Sequence, residues 1–242
     1  MRQIDTIYLF CTLHCNLECI HCVVDASPQN KEYIDLRLAE NILSSYRKQK
    51  IKNIHITGGE PLLYTKLNEI IDICSSSFKN TKITISTNGT INPAKFRDKF
   101  NQKVDEICIS IDGWKEHHEK VRGEGSFDKL LNNLNNFISL NCKITILTVS
   151  FPWNLNYQES LIKTLLENGI DSVKTIPLKP YGRAKNLGNY GTNIDHPSIS
   201  NIMALPGKCS DCKLTTNLSI FPDGSTYTCT VQRELDIKAH LL

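Results

Sequence analysis

The segment TIYLFCTLHCNLECIHC, residues 6–22, joins a short β-prone run to a cluster of four cysteines. In that cluster Cys15, Cys19 and Cys22 have the spacing C-x3-C-x2-C, and Cys11 lies four residues upstream. The cluster directly follows the predicted strand, at the carboxyl end where parallel α/β folds place their active sites. Three thiolates in one tight loop suit an iron–sulfur cluster, whereas a structural zinc site usually takes two separated pairs of ligands. A zinc site with Cys11 as the fourth ligand, or a redox dithiol, remains open at this point.

Further β-branched runs repeat the pattern of that first strand along the chain, and amphipathic stretches lie between them. The predicted strands cover residues 53–57, 82–86, 106–110, 143–149 and 172–178. Helical periodicity predicts helices over residues 36–49, 63–77, 127–140 and 156–169, the last of which ends at Gly169. Alternating strands and helices imply an α/β fold with a parallel sheet, and the nearly continuous apolar strands indicate burial on both faces. An open six-stranded barrel and a doubly wound sheet both fit this spacing.

The pattern changes after residue 180, where the chain becomes polar and rich in turn-forming residues. Residues 217–221 and 225–229 are β-prone and flank the sequence Pro-Asp-Gly, so they predict a hairpin. We expect a core of residues 1–185 and a small appendage of residues 186–242.

Composition narrows the classes of protein to which the chain can belong. The 242 residues include 28 Lys and Arg against 25 Asp and Glu, which gives a net charge of +3. This balance argues against a nucleic-acid-binding or membrane-binding surface. No apolar run is long enough to predict a membrane span, and the N-terminus lacks the features of a signal peptide. We therefore expect a cytoplasmic protein whose ten cysteines are metal ligands or buried thiols rather than disulfides.

The stretch CNLECIHC resembles the signature of the radical S-adenosylmethionine (radical SAM) enzymes, in which an aromatic-type residue, here His21, precedes the last cysteine. The resemblance implies a partial (β/α)6 TIM-like barrel with a short C-terminal hairpin. It also implies that Cys15, Cys19 and Cys22 bind a [4Fe–4S] cluster whose open iron chelates the methionine part of SAM. Reduction, by a donor such as flavodoxin or ferredoxin, would yield a 5′-deoxyadenosyl radical that abstracts a substrate hydrogen. Cys11 lies outside the motif and is expected to be a core or near-site thiol.

A turn after the second predicted strand matches the same family. TGGEP, residues 57–61, is by itself an ordinary strand-to-helix turn. In the family, a GGE motif at this place binds the amino group of the cofactor. The resemblance therefore implies this role for Gly58, Gly59 and Glu60.

The ends of the third and fourth predicted strands carry further matches. Asn88 in STNGT, and Ser110 and Asp112 in SIDG, stand where family members contact the cofactor. Arg122 is expected either to bind the cofactor carboxylate or to form a surface ion pair. His117 and His118 are expected to be exposed. After the fifth strand, Ser150 and Asn154 are weaker candidates for contacts with the adenine.

A second group of cysteines lies near the end of the chain. Cys209, Cys212 and Cys229 flank the predicted hairpin, and this region resembles the opening of a SPASM domain or of the shorter twitch extension. The later cysteines of a full SPASM domain are missing, so we expect at most one auxiliary [4Fe–4S] cluster. The alternatives are a zinc site completed by His196 or His240, and free thiols.

The resemblance also indicates a substrate. SPASM-like members most often crosslink or epimerise ribosomally made peptides, so a peptide substrate is expected first. The alternatives are oxidation or rearrangement of a small molecule such as a sugar alcohol, and a non-catalytic iron–sulfur or zinc protein. The TGGEP motif argues against a non-catalytic protein, because such a protein has little need of a site for the cofactor's amino group.

Overall fold

The computed structural model describes residues 3–151, 153–179, 181–187 and 216–227. Within these residues one sheet has the strand order β6-β5-β4-β3-β2-β1-β7-β8. The strands are β1 (Thr6–Thr12), β2 (Asn53–Gly58), β3 (Lys82–Thr87), β4 (Glu106–Ser110), β5 (Lys143–Ser150), β6 (Ser172–Pro177), β7 (Asn217–Ile220) and β8 (Thr226–Tyr227). All six strands predicted for the first part of the chain are confirmed.

Strands β1 to β6 are parallel and neighbour one another in chain order. A doubly wound sheet would reverse its strand order at one point, and this sheet does not. Right-handed crossovers between consecutive strands place the helices on one face, as in a barrel. The helices are α1 (Leu36–Ser45), α2 (Leu67–Ser77), α3 (Arg97–Lys103), α4 (Lys115–Arg122), α5 (Ser126–Ile138) and α6 (Leu155–Glu167). The order of the strands therefore favours the partial barrel over the doubly wound sheet.

The main core lies between the sheet and these helices. Side chains that point to the helices are almost completely buried, as shown by Ile54, Ile85, Ile109 and Ile146. Side chains of the opposite face alternate with them along each strand. Several of these inner residues are only half-buried: Tyr8, His55, Ser86, Ser110 and Leu147. The expectation that both faces are buried is therefore only partly correct, because the inner face opens into the interior of the barrel.

The predicted hairpin is confirmed, and it extends the sheet. Strand β7 pairs in parallel with β1 and antiparallel with β8. The rings of Phe10 and Phe221 stack with their centroids 4.5 Å apart, which fixes this edge to β1. Cys209, Cys212 and Cys229 lie outside the described residues.

No helix in the described ranges has both the length and the apolar character needed to cross a membrane.

Candidate active site

The cysteine loop, residues 13–27, follows β1 at the carboxyl edge of the sheet. Cys15 and Cys19 are buried, and Cys22 is half-buried. Each sulfur accepts a hydrogen bond. The backbone N–H of Leu17 donates to Cys15 Sγ at 3.4 Å, and that of Ala26 donates to Cys22 Sγ at 3.4 Å. The side chain of Arg122 donates to Cys19 Sγ at 3.9 Å. Such donors favour a sulfur that carries negative charge, and they are typical surroundings of cysteine ligands in iron–sulfur sites.

The thiols of Cys15 and Cys19 are protonated at neutral pH when no metal is bound. Burial raises the pKa of Cys15 to about 12. Burial also raises the pKa of Cys19, although the guanidinium of Arg122 opposes the shift. Metal binding at these sulfurs must therefore release protons, as it does in thiolate sites generally.

Cys11 does not belong to this group. Its thiol donates to the carbonyl oxygen of Thr57 at 3.4 Å, and the side chain is fully buried in the core with Cys74. Among the described residues, no three His, Cys, Asp or Glu side chains lie close enough to hold a single metal ion, and this includes Cys15, Cys19 and Cys22. Cys11 is thus the core thiol that the sequence allowed, and its position gives no support to a zinc site completed by Cys11.

The glycines of TGGEP allow β2 to approach the cysteine loop closely. The N–H of Gly59 donates to Thr12 O at 2.7 Å, and the N–H of Glu60 donates to His14 O at 2.9 Å. A Cβ on Gly58 or on Gly59 would overlap the carbonyl oxygen of Thr12 or of His14, respectively. Only glycine fits at these two positions, and the motif holds the start of the cysteine loop.

The Glu60 carboxylate joins the ends of β2 and β3. It is fully buried and accepts hydrogen bonds from Leu62 N at 3.0 Å, Thr87 Oγ1 at 2.8 Å and Asn88 N at 2.7 Å. Burial raises the pKa of Glu60 to about 7, although these hydrogen bonds oppose the shift. Its expected contact with the cofactor's amino group stays a prediction.

Asn88 lies next to the cysteine loop. Its Nδ2 is 3.8 Å from Cys15 Sγ and donates to Asn16 Oδ1 at 2.9 Å. Its Oδ1 accepts from the backbone N–H of Thr90 at 2.9 Å. The amide thus links the end of β3 to a residue within the cysteine motif.

Asp112 and Arg122 form a buried ion pair beside Cys19. Arg122 Nε donates to Asp112 Oδ2 at 2.7 Å, and the N–H of Val149 donates to Asp112 Oδ1 at the same distance. Arg122 is 8% exposed, so the expectation of a surface ion pair is wrong. Burial alone would raise the pKa of Asp112, but Arg122, His21 and the Val149 N–H outweigh it and leave that pKa below its ordinary value.

His21 completes this cluster of polar groups. Its Nε2 is 3.8 Å from Asp112 Oδ2 and 3.4 Å from Arg122 Nη2, and its ring meets the edge of Phe151. Burial lowers the pKa of His21 to about 4, so the ring is neutral at pH 7. Nδ1 is buried and has no hydrogen-bond partner in the part of the chain that the structure describes.

Other polar residues near the site support its shape. Asn154 is fully buried and donates to the carbonyl oxygens of Asp112 and Val149, both at 2.8 Å. Ser150 is bonded to Gln158 within the chain. His118 is fully buried, contrary to expectation, because its Nδ1 accepts the N–H of Asp112 at 3.3 Å.

The structure therefore collects most of the predicted site at one edge of the sheet. The contacts above connect most of its members to the cysteine loop: Cys15, Cys19, Gly58, Gly59, Glu60, Asn88, Asp112 and Arg122. Cys22 lies on the same loop. Ser110 is the last residue of β4 and is half-buried at the same edge. Sequence reasoning missed the contributions of Asn16 and His118, because neither stands in a recognised motif position.

A comparison with models of protein families shows to which family the chain belongs. The model described as the Radical SAM superfamily matches residues 9–165, which is more than half of the chain. The chain belongs to this superfamily. Membership implies a [4Fe–4S] cluster and SAM as cofactors. The residues present fit these groups, since three thiols with N–H donors share one loop. Because Nε2 of the neutral His21 ring accepts from Arg122, its Nδ1 carries the proton and offers a donor that has no partner among the described residues.

Two curated relatives of this radical SAM chain have named activities. The GTP 3′,8-cyclase of Clostridium perfringens is 28% identical over 191 residues, which cover 77% of this chain and 59% of the cyclase. The mycofactocin maturase MftC of Mycolicibacterium smegmatis is 28% identical over 181 residues, which cover 73% of this chain and 45% of the maturase. The chain thus spans about half the length of these relatives.

A solved structure supports the same fold. SuiB of Streptococcus suis, bound to the precursor peptide SuiA, matches with a TM-score of 0.75 at 14% identity. The match covers 98% of this chain and 62% of SuiB. At this level of identity the likeness shows the fold, a partial TIM barrel, and it confirms the expected fold class.

Proposed function

We propose that this radical SAM enzyme holds its [4Fe–4S] cluster on Cys15, Cys19 and Cys22 and uses SAM to abstract a hydrogen atom from a peptide. When bound, the reduced cluster and SAM supply a 5′-deoxyadenosyl radical. The observation that carries the proposal is the cysteine loop itself. It gives each sulfur an N–H donor and is bonded to the GGEP turn at the carboxyl edge of the barrel.

The chain's own residues would orient the cofactor from three sides of this loop. We assign cofactor binding to Gly58, Gly59, Glu60, Asn88, Ser110, Asp112 and Arg122. Glu60 Oε2 accepts one hydrogen bond from the chain and retains acceptor capacity for an ammonium group. Arg122 brings a positive charge next to Cys19, where a carboxylate would find a charge-assisted partner.

The inner face of the barrel suits a polar substrate. His55 and Ser86 are joined by a hydrogen bond of 2.6 Å between Nε2 and Oγ, and Tyr8 stacks on His55 with the ring centroids 5.3 Å apart. These half-buried groups offer hydrogen bonds to a peptide that enters the barrel. SuiB has been solved with a precursor peptide, and one relative is a maturase, which supports a peptide and a crosslinking or epimerisation reaction.

A small-molecule substrate is the second candidate. It is favoured by the relative named as a GTP 3′,8-cyclase. Because His55 and Ser86 would bind a hydroxylated small molecule as readily as a peptide, the inner face does not separate the two candidates.

The remaining assignments complete the proposal. Cys209, Cys212 and Cys229 would hold an auxiliary [4Fe–4S] cluster in a region of residues 186–242 that follows a core of residues 1–185. A flavodoxin or ferredoxin of the cytoplasm would supply the electron.

The test is the formation of 5′-deoxyadenosine from SAM by the anaerobically reconstituted, reduced enzyme. We expect product from the wild type and none from the variant with Cys15, Cys19 and Cys22 replaced by Ala. Cys142→Ala is the matched control, because this half-buried thiol precedes β5 at the opposite end of the sheet. Equal product from the triple variant would overturn the cluster assignment.

Two further measurements test the cofactor contact and the substrate. Glu60→Ala should weaken SAM binding, and unchanged affinity would remove Glu60 from the cofactor site. Deuterium transfer from a labelled precursor peptide into 5′-deoxyadenosine would support the peptide. Transfer only from a labelled small molecule would replace the peptide by the second candidate.

A further inference from the structure

The segment that follows β6 lies directly on the cysteine loop. The backbone N–H of Arg183 donates to Cys22 O at 3.0 Å. Gly182 has a φ of +57°, and a Cβ on it would overlap that same carbonyl oxygen and press on Val23. The left-handed conformation and the close approach both require glycine here. Residues far apart in the chain are thus in backbone contact at the candidate cluster.

The Arg183 side chain extends this contact along the loop. Its Nε donates to Cys19 O at 2.9 Å, and its Nη2 donates to Ala26 O at 2.7 Å. Its Nη1 pairs with the carboxylate of Asp25. Together with its backbone N–H, which bonds to Cys22 O, Arg183 therefore contacts four residues between positions 19 and 26.

Between residues 19 and 26, few other backbone N–H groups are bonded in the described structure, and one of them is the N–H of Ala26, which donates to Cys22 Sγ at 3.4 Å. In addition, the N–H of Cys22 donates to Cys19 O at 3.2 Å, and the N–H of Ile20 donates to the O of Val121 on α4 at 3.0 Å. A loop that is free before metal binding must lose conformational entropy when its ligands converge. Arg183 contacts the backbone of two of the three cysteines in the metal-free chain.

The guanidinium also adds positive charge beside a cysteine that already faces another arginine. Arg122 Nη1 is 3.9 Å from Cys19 Sγ, and Arg183 Nε bonds to the carbonyl oxygen of the same residue. A cluster held by three thiolates becomes more negative on reduction, and nearby charge and hydrogen bonds set its reduction potential. A cation at this place therefore stabilises the reduced form.

We propose that Arg183 is a positioning residue that locks the cysteine loop from the exit of β6 and raises the reduction potential of the cluster. The proposed effect on the reduction potential rests on the proposed function, because it requires the cluster. The locking of the loop does not, because it is a property of the metal-free chain.

The first experiment is hydrogen–deuterium exchange on the full metal-free chain, as wild type, Arg183→Gln and Arg97→Gln. Arg97 is the matched control, since its guanidinium bonds only to Ser139 in the described structure, far from the loop. We expect peptides covering residues 19–26 to exchange about tenfold faster in Arg183→Gln alone, because the loop opens locally. Amides of β2 to β4 should not change. Equal exchange of the loop in all three proteins would overturn the positioning role.

The second experiment measures the midpoint potential of the reconstituted cluster by its paramagnetic resonance signal. Arg183→Gln should lower the potential, and Arg183→Lys should restore it while the loop remains fast in exchange, since lysine keeps the charge but not the planar fork of donors. No shift in Arg183→Gln would refute the electrostatic part. If the wild type binds no cluster, the proposed function fails, and the exchange result alone decides whether Arg183 positions the loop.

Discussion

Replacing Asp112 by Asn should destabilise the fold, because the buried guanidinium of Arg122 then has no charged partner. Asp112 is completely buried, and its partner is 8% exposed. Removing one member of a buried ion pair costs roughly 3–5 kcal/mol. The Asn amide oxygen still accepts the N–H of Val149, which Asp112 holds at 2.7 Å. We therefore expect the lower end of that range, a loss of about 3 kcal/mol in the free energy of unfolding.

The loss can be measured by urea unfolding of the metal-free chain, followed by circular dichroism. Asp72→Asn is the matched control, because Asp72 bonds to Lys99 at 2.7 Å with its side chain 53% exposed. An exposed pair contributes little, so this control should unfold like the wild type. The double variant with Arg122→Gln should lose less stability than the two single variants together, because no charge is then left without a partner.

The same pair predicts a dependence on pH. The pKa of Asp112 is lowered from its ordinary value of 3.8, so the unfolded chain binds a proton more readily than the folded chain. The stability it contributes is complete above pH 4 and is lost as the pH falls through the lower, folded pKa. The difference between wild type and Asp112→Asn should shrink in that range. A loss no larger than that of Asp72→Asn at neutral pH would refute this account of the site.

Two other substitutions test different parts of the fold. Glu60→Gln should remove a pH dependence: burial raises the pKa of Glu60 from 4.5 to about 7. The free energy of unfolding of the wild type should therefore fall as the pH rises through that interval, and that of the variant should not. An equal change between pH 5 and pH 8 in both proteins would contradict this. Phe10→Ala should lower the free energy of unfolding by about 3–5 kcal/mol, because it removes a buried ring that stacks on Phe221. Limited proteolysis should then cut near β7 faster than in the wild type, and unchanged protection would show that this contact does not hold the hairpin.

The strands were predictable because their apolar residues carry a strong local signal. The run EICIS, residues 106–110, coincides with β4 at both ends. Helix α4, Lys115–Arg122, was missed because its buried residues include His118 and Arg122 together with Val121, which leaves no apolar stripe to recognise. The order of the strands was also hidden, since spacing alone fits a barrel and a doubly wound sheet equally well.

The site was predictable only as far as its motifs reach. The cysteine spacing and TGGEP placed residues at neighbouring strand ends, and the structure connects them. The contact of Arg183 with Cys19 joins residues 164 positions apart, so no local pattern records it. Burial of Arg122 likewise depends on how α4 packs against the cysteine loop, which the sequence does not show.

The central claim is that Cys15, Cys19 and Cys22 hold a [4Fe–4S] cluster, and iron and sulfide content after anaerobic reconstitution tests it most directly. The triple Ala variant should lose about four irons and four sulfides per chain relative to the wild type. Any iron that remains would then be bound elsewhere, with Cys209, Cys212 and Cys229 as the first candidates. Equal iron and sulfide in the wild type and the triple variant would contradict the account.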